Sequence, residues 1–263
     1  MRYGVNIPPF TDPAVVVQLA RDAEAAGWDG VFLWDHLVWS TESEPEVHDP
    51  WVLLGAIAVA TSRVRIGTLV TPLTRRRIQV VAKQLLTLDH LSGGRVVFGV
   101  GLGEPPVADF SAWGDEADAR TRAAMLDEGL DVLDSLLRGA AVQHDGTHMT
   151  AHGQLRPGPV QQPRPPIWVA GVVPNQRPLR RARRWDGVVP IGSGELLTPE
   201  ALASYLGGEA PAGWDVVSSW APGVPASEYA DAGATWLIES TWPTEEGWVD
   251  EFRDRIRQDP RQR

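Results

Sequence analysis

The sequence contains no cysteine in 263 residues. Disulfide bonds, thiolate zinc sites, iron–sulfur clusters and cysteine nucleophiles are therefore excluded. Long apolar runs are missing as well. The N-terminal stretch MRYGVNIPPF is interrupted by Pro8 and Pro9 and is too short for a signal-peptide core. No run approaches the roughly 20 apolar residues that a membrane span needs. We therefore expect a cytoplasmic protein.

Basic residues are fewer than acidic residues. Lysine and arginine total 24 against 34 acidic residues, a formal net charge of −10. Such a surface repels nucleic acid and anionic membranes, so we expect neither as a partner. The content of 43% hydrophobic and 22% charged residues is ordinary for a globular protein. The length suits one large α/β domain, expected to run from residue 1 to 263.

Strand-like apolar segments alternate with helical segments along most of the chain. Asp12 and Asp49 each precede a proline, which is typical of a helix start, and Gly27 and Gly93 follow helical segments as typical stops. Eight units in βα order predict a (β/α)8 TIM barrel, with a doubly wound open sheet as the alternative. The predicted strands lie near Tyr3, Val31, Val64, Val96, Ile167, Gly187, Asp215 and Thr235.

The alternation is interrupted between residues 140 and 166, which are rich in histidine, glycine, proline and glutamine. The pair Asp145-Gly146 predicts a hairpin there. We interpret the segment as an excursion between the fourth helix and the fifth strand, not as a second domain. His144, His148 and His152 are spaced four residues apart. That spacing could suit a metal site, but a hairpin does not ensure that the three side chains converge on one ion. We therefore interpret them as structural or as part of a substrate lid.

The stretch VFLWDHLVW carries the second predicted strand into Asp35 and His36. In a barrel, the chemistry lies at the C-terminal ends of the strands, so both residues are candidates for an active site. The alternative is a turn cap and a structural histidine. A metal site shared with His48 and Asp49 is disfavoured, because adjacent residues on a strand face opposite sides.

Glycines are concentrated at the same predicted rim. Gly99, Gly101 and Gly103 alternate along the fourth strand, and Gly171 ends the fifth. Glycine within a strand usually marks the close approach of a ligand or of another backbone. Several on one rim suggest a flat, extended ligand, and tight packing of the barrel is the alternative.

Several motifs are similar to those of the bacterial luciferase-like superfamily of flavin- and deazaflavin-dependent oxidoreductases. They follow in order from residue 1 to about 195: AEAAGWDGVFLWDHL, ATSRVRIGTLVTPL, TLDHLSGGRVVFGVGLG, MLDEGLDVL, PIWVAG and RRWDGVVPI. The resemblance implies a (β/α)8 barrel that binds FMN or cofactor F420 at its C-terminal rim, commonly as a homodimer.

The resemblance implies roles for the DH pair, and position at the strand ends adds two candidates for the substrate pocket. In F420-dependent members the histidine of this DH pair lies near the reactive ring carbon, which makes His36 the catalytic candidate for proton transfer. Asp35 would touch the ring or orient the rim. Trp39, three residues further on, is a candidate wall of the substrate pocket, with packing as the alternative. Glu239, at the end of the eighth strand, is a second pocket candidate.

The motif GTLVTP ends the third strand, where family members place a bulge, sometimes with a non-proline cis peptide, behind the ring. By position this involves Leu69 and Val70, with Thr68 or Thr71 bonding the ring edge. The helix start after VAGVVPN could hold a phosphate through its N–H groups. The remaining cofactor-binding candidates at the strand ends are Asn6, Gly101, Gly103, Glu104, Ala170, Gly171, Val172 and Arg177.

Two features favour F420 over FMN. FMN enzymes of this type often carry an arginine just after the glycine pattern, where this chain has Leu102 and Glu104. The run of three arginines at 75–77 suits the polyanionic tail of F420, unless it is a solvated helix start. We therefore expect an F420-dependent, or FMN-dependent, oxidoreductase that transfers hydride to or from a small organic substrate. The alternatives are an FMNH2-dependent monooxygenase using O2, a non-catalytic flavin-binding barrel and a metal-dependent barrel hydrolase.

Overall fold

The computed structural model describes residues 1–39, 46–208, 210–243 and 246–262. In these ranges, eight parallel strands close into a barrel in the order β1-β10-β9-β8-β7-β4-β3-β2. The barrel strands are β1 (Arg2–Ile7), β2 (Gly30–Leu33), β3 (Arg65–Pro72), β4 (Val96–Gly101), β7 (Ile167–Val172), β8 (Gly187–Ile191), β9 (Asp215–Ser219) and β10 (Trp236–Ser240).

The predicted (β/α)8 barrel is confirmed, and the doubly wound alternative is wrong. An open sheet would leave β1 or β10 with a free edge. Instead β1 pairs with β2 on one side and with β10 on the other, in a register that sets Arg2 opposite Trp236 and Asn6 opposite Ser240.

The helices surround the barrel and follow the predicted signals. The Asp12 carboxylate accepts from the N–H of Ala14, the Asp49 carboxylate accepts from the N–H of Val52, and Gly27 ends the first helix with φ 93°. No helix in the described ranges has the length and apolar character of a bilayer span. The helices are α1 (Pro13–Ala26), α2 (Pro50–Ala60), α3 (Ile78–Ser92), α4 (Ala119–Leu137), α5 (Gln176–Ala182), α6 (Pro199–Leu206), α7 (Ala226–Asp231) and α8 (Trp248–Ile256).

Side chains alternate between two cores. Val31 and Leu33 of β2 pack outward against the helices, whereas Phe32 points into the barrel. Inside, the rings of Phe32, Trp168 and Trp236 lie 5.3–5.9 Å apart by their centroids and fill the barrel centre. This alternation decides which residue at each strand end faces the mouth of the barrel, at the C-terminal ends of the strands, and which faces the helices.

The predicted excursion contains the predicted hairpin. Strands β5 (Val142–Asp145) and β6 (Thr150–Gly153) pair antiparallel. Glu128 of α4 accepts from the backbone N–H groups of His148 and Met149 and lies 2.9 Å from His144 Nε2, which docks the hairpin on α4. Of the two roles considered for His144, structural support and part of a substrate lid, this contact favours the structural one. His152 pairs with Asp145 within the hairpin.

Candidate active site at the barrel mouth

Asp35 is buried behind the rim. Its Oδ1 accepts from the Nη2 atoms of Arg75 and Arg76, each at 2.6 Å. Its Oδ2 accepts from Thr71 Oγ1 at 2.8 Å and from Trp51 Nε1 at 3.2 Å. Both oxygens are occupied and the residue is 2% exposed, so direct contact between Asp35 and a ring is not supported. The second expected role of Asp35, orienting the rim, agrees with its bonds to Thr71, Arg75 and Arg76.

The expectation that the three arginines bind a polyanionic tail is corrected for two of them. The guanidinium of Arg75 is 3% exposed and is held between Asp35 and Asp109. That of Arg76 is paired with Asp35 and lies 3.5 Å from Asp49. Paired and desolvated groups of this kind have little capacity left for an anion. Of the three, Arg77 alone remains exposed.

Asp109 is a site residue that the sequence reasoning missed. It lies in the irregular loop after β4 and is fully buried. Its Oδ2 lies 3.1 Å from His36 Nδ1 and 2.6 Å from Arg75 Nη1, and its Oδ1 accepts from the N–H groups of Leu37 and Val38. Burial by itself would raise the pKa of Asp109. The hydrogen bonds from His36 and Val38 and the charge of Arg75 outweigh it, so the pKa lies below its usual value.

This carboxylate sets the orientation of His36. An ionised carboxylate only accepts hydrogen bonds, so Nδ1 of His36 carries the hydrogen of the shared bond. Nε2 has no hydrogen-bond partner among the residues that the structure describes, and the side chain is 18% exposed. An imidazole fixed in this way can accept or return a proton at Nε2.

Four aromatic side chains form what we call the aromatic wall. The ring centroids of Phe10, Trp34 and Trp39 lie 6.4, 6.1 and 5.1 Å from that of His36. Trp242, after β10, lies 5.5 Å from Trp34 and 5.9 Å from Trp39. Trp39 therefore packs beside His36, and its contact with a substrate stays a prediction. The sequence pattern contained no signal for Phe10 or Trp242.

The end of β3 departs from regular pairing where predicted. The peptide bond between Leu69 and Val70 is cis, and the register with β4 shifts between Thr68 and Thr71. Leu69 and Val70 pack with the inner core of the barrel.

The threonines that flank this bond face away from the mouth. Thr68 Oγ1 donates to the Gly99 carbonyl at 2.9 Å, and Thr71 Oγ1 bonds Asp35. Both residues are at most 1% exposed. The expectation that either bonds a ring edge is therefore wrong, because both hydroxyls are buried and donate to groups within the protein.

Small residues and one amide form the floor of the mouth. A Cβ added to Gly101 would lie 2.9 Å from Val70 Cγ2 and 3.4 Å from the Ala170 Cβ, so these three residues lie side by side on the inner face. Asn6 donates from Nδ2 to the Leu69 carbonyl at 3.3 Å. Its Oδ1 is buried without a partner among the described residues. A low apolar floor with one unsatisfied acceptor fits a flat ring whose edge carries an N–H, as flavins and deazaflavins do.

Chain packing accounts for most of the other rim glycines. A Cβ on Gly171 would lie 2.1 Å from the Cβ of Pro178 in α5, and one on Gly99 would lie 2.1 Å from the Thr68 carbonyl oxygen. Gly103 has φ +83°, and its added Cβ would lie 2.5 Å from the Pro72 Cβ. The packing alternative thus explains Gly99, Gly103 and Gly171, and they are not by themselves signs of a ligand.

The remaining candidates are spread around the rim. Val172 lies on the same face as Ala170 and is 46% exposed. Glu104 is exposed, with Oε1 4.0 Å from Arg122 Nη2. Arg177 is exposed near the start of α5, where the Asn175 side chain accepts from its backbone N–H.

Glu239 does not belong to the mouth. Trp236 and Ile238 of the same strand are in the inner core, so Glu239 faces outward, where it pairs with Arg255 of α8 at 3.0 Å. Its assignment to the substrate pocket is therefore wrong. Within the described ranges, no three or more histidine, aspartate or glutamate side chains are grouped in a way that suits a metal ion. This includes the alternative site of Asp35 and His36 with His48 and Asp49.

Comparison with protein families matches residues 1–225 to the luciferase-like monooxygenase model. An F420-dependent glucose-6-phosphate dehydrogenase of Beutenbergia cavernae is 37% identical over 196 residues, covering 70% of this chain and 54% of the relative. A 4-hydroxyprotoasukamycin monooxygenase of Streptomyces nodosus subsp. asukaensis is 38% identical over 150 residues, covering 52% of this chain and 38% of the relative. The chain thus spans about half the length, or less, of these relatives.

Among solved structures, an F420-dependent secondary alcohol dehydrogenase in complex with an F420–acetone adduct superposes with a TM-score of 0.77, at 18% identity, covering 96% of this chain and 97% of that one. The coenzyme F420-dependent tetrahydromethanopterin reductase from Methanopyrus kandleri gives 0.74 at 17% identity, covering 98% and 97%. At these identities the similarity establishes the fold.

Proposed function

Because the chain belongs to the luciferase-like monooxygenase family, we propose that it is an F420-dependent oxidoreductase that transfers hydride to or from a small organic substrate. The observation that carries this proposal is the pairing of His36 with the buried Asp109, which leaves Nε2 without a partner among the described residues, at the end of the barrel where the apolar floor also lies. A proton acceptor next to a flat binding surface is what such a reaction requires from the protein.

The preference for F420 over FMN rests on two points. Relatives that are 35–37% identical are named F420-dependent dehydrogenases. The loop after β4 carries Leu102 and Glu104 where FMN enzymes of this kind often have an arginine. The floor itself, made of Val70, Gly101 and Ala170, suits either ring. Arg177 is exposed near the end of β7 and is available to the acidic part of a cofactor.

Each residue of the mouth has a separate task in this proposal. Bound F420 would supply the hydride chemistry. Asn6 Oδ1 would accept from an N–H on the ring edge, and Val70 would support the ring from below. His36 Nε2 would take the proton of a substrate hydroxyl during oxidation and return it during reduction. Asp109 would hold the imidazole in position and keep the hydrogen of their shared bond on Nδ1.

The role of His36 can be tested by anaerobic turnover. Reduced F420 is mixed with the protein and menadione, a neutral quinone that takes up a hydride and a proton, and the return of oxidised F420 absorbance is followed. We expect turnover by the wild type and a loss of about 10²-fold or more in His36→Ala, with F420 affinity retained. Equal turnover in His36→Ala with the cofactor bound would contradict the assignment.

A second candidate is an FMNH2-dependent monooxygenase that uses O2. It is favoured by the monooxygenase relative, which is 38% identical over 150 residues. Tight binding of FMN together with O2 consumption that depends on substrate would distinguish it. A flavin-binding barrel without turnover would bind cofactor and fail both assays.

The helix α2 supports a homodimer. Its residues are apolar almost all round, yet Val52 and Val59 on its outer face are 75% and 69% exposed. Val80 and Leu91 of the adjacent α3 are each 49% exposed. A helix that is apolar on every side is normally buried, so we propose that a second copy covers this face.

One barrel domain over residues 1–263 and a cytoplasmic location also remain predictions.

A further inference from the structure

Given the proposed function, we infer that the substrate bound against His36 is an uncharged, largely apolar ring compound and not a sugar phosphate. The first support is the aromatic wall. Trp39 stands edge-on to His36, with an angle of 87° between the ring planes, and Trp242 is 63% exposed at the outer end. A large indole surface left in water next to the two tryptophans that contact a proton-transfer group is typical of a site that binds an apolar ring.

The opposite side of the mouth is also apolar. Val172 of β7 and Ile191 of β8 are neighbours in the sheet register. They lie on the same strand faces as Ala170 and Val189 of the inner core, and they are 46% and 41% exposed. Large aliphatic side chains left open at two adjacent strand ends extend the apolar surface across the barrel from His36.

The charges next to His36 disfavour an anion. The guanidinium groups of Arg75 and Arg76 are outweighed by the three carboxylates with which they pair, Asp35, Asp49 and Asp109. The cluster therefore carries a formal charge of −1 when His36 is neutral. None of the described cation–π contacts involves a ring of the aromatic wall; those of Arg76 and Arg122 are with Trp51 and Phe110.

A sugar phosphate needs the reverse arrangement. A phosphate is bound by arginine or lysine through charge-assisted hydrogen bonds, and its hydration is costly to remove without them. Arg77, exposed after β3, lines a cavity with the β5–β6 hairpin. Arg177, another exposed cation of the rim, follows β7, which is separated from β2 by β3 and β4 in the sheet. The 37% identity to a glucose-6-phosphate dehydrogenase therefore does not carry its substrate over to this chain.

Paired probes that differ in charge test the inference. The F420-loaded protein is dialysed to equilibrium against 2-naphthol, against naphthalene-2-sulfonate, which adds a negative charge to the same ring system, and against glucose 6-phosphate. We expect 2-naphthol to bind about tenfold or more tightly than the sulfonate, and glucose 6-phosphate not to bind at millimolar concentration.

The exposed tryptophan gives the matched variants. Trp242→Ala should weaken 2-naphthol binding about tenfold, whereas Trp242→Phe, which keeps an aromatic ring, should retain most of it. Equal or tighter binding of the sulfonate, binding of glucose 6-phosphate, or 2-naphthol affinity unchanged in Trp242→Ala would each overturn the inference.

F420 affinity is measured in the same samples, and the dialysis is repeated on cofactor-free protein. A protein that binds 2-naphthol selectively but not F420 would defeat the proposed function and leave the apolar site standing. Binding of F420 without selective binding of 2-naphthol would defeat the inference alone.

Discussion

His36 Nδ1 lies 3.1 Å from Asp109 Oδ2, although 73 residues separate the two in the chain. The same carboxylate is 2.6 Å from Arg75 Nη1 and accepts two backbone N–H groups from the segment that follows His36. One buried group thus fixes both the imidazole ring and the backbone next to it. The geometry assigns Asp109 a positioning role for the proposed proton transfer.

Asp109→Asn should lower turnover about 10–100-fold with little change in F420 affinity, because an amide can either accept from or donate to Nδ1 and so no longer fixes which nitrogen of His36 carries the hydrogen. The pH–rate profile should change shape, and this profile is the measurement that separates positioning from support of the fold. A decrease of the same size at every pH, accompanied by a matching loss of folded protein, would show that Asp109 is only structural.

Asp35→Asn should destabilise the fold by roughly 3–5 kcal/mol, since it removes the negative charge that two buried arginines share. Urea unfolding gives the free energy directly. The matched control is Asp131→Asn, which breaks the surface pair with Arg184 and should cost less than about 1 kcal/mol. Equal losses in the two variants would contradict the buried network.

Stability should fall in acid as buried carboxylates are protonated. Burial acts to raise the pKa of Asp134, but hydrogen bonds from Arg138 and Arg164 outweigh it, and the pKa of Asp109 is lowered as well. A carboxyl whose pKa is lower in the folded state contributes stability at neutral pH and loses it as the pH falls below about 5. Urea unfolding between pH 7 and 3 should show this decrease, with a shallower slope in Asp134→Asn. An unchanged slope in that variant would contradict the prediction.

Val59→Glu should convert a dimer into monomers, because it places a charge in the proposed interface of α2. Sedimentation equilibrium of wild type and variant measures the change. Val160→Glu is the control, since that residue is exposed in the loop before β7. A monomeric wild type, or a dimer that tolerates Val59→Glu, would rule out this interface.

The sequence predicted the barrel well because its signals are local. Asp12, Pro13 and Gly27 mark the limits of α1, and the leucines of α4 at positions 126, 130, 133 and 137 form the fully buried stripe that their spacing indicates. The position of His36 at the end of β2 follows from the same local reasoning.

The partners of the site residues were not predictable in this way. Asp109 lies in an irregular loop, where no periodicity shows the direction of a side chain. The arginine run at 75–77 was interpreted as free charge, because nothing local indicates that Asp35 and Asp109 take up two of its members. For Glu239, the end of the strand was correctly identified, but the direction of the side chain was not. Trp236 faces the barrel interior, so the alternation of side chains along the strand places Glu239 on the side of the helices.

The most direct test of the account is a fluorescence titration of the purified protein with F420 and, separately, with FMN, each in both oxidation states. The proposed function predicts that F420 binds at least about tenfold more tightly than FMN. Tight binding of FMN with no measurable binding of F420 would contradict the central claim.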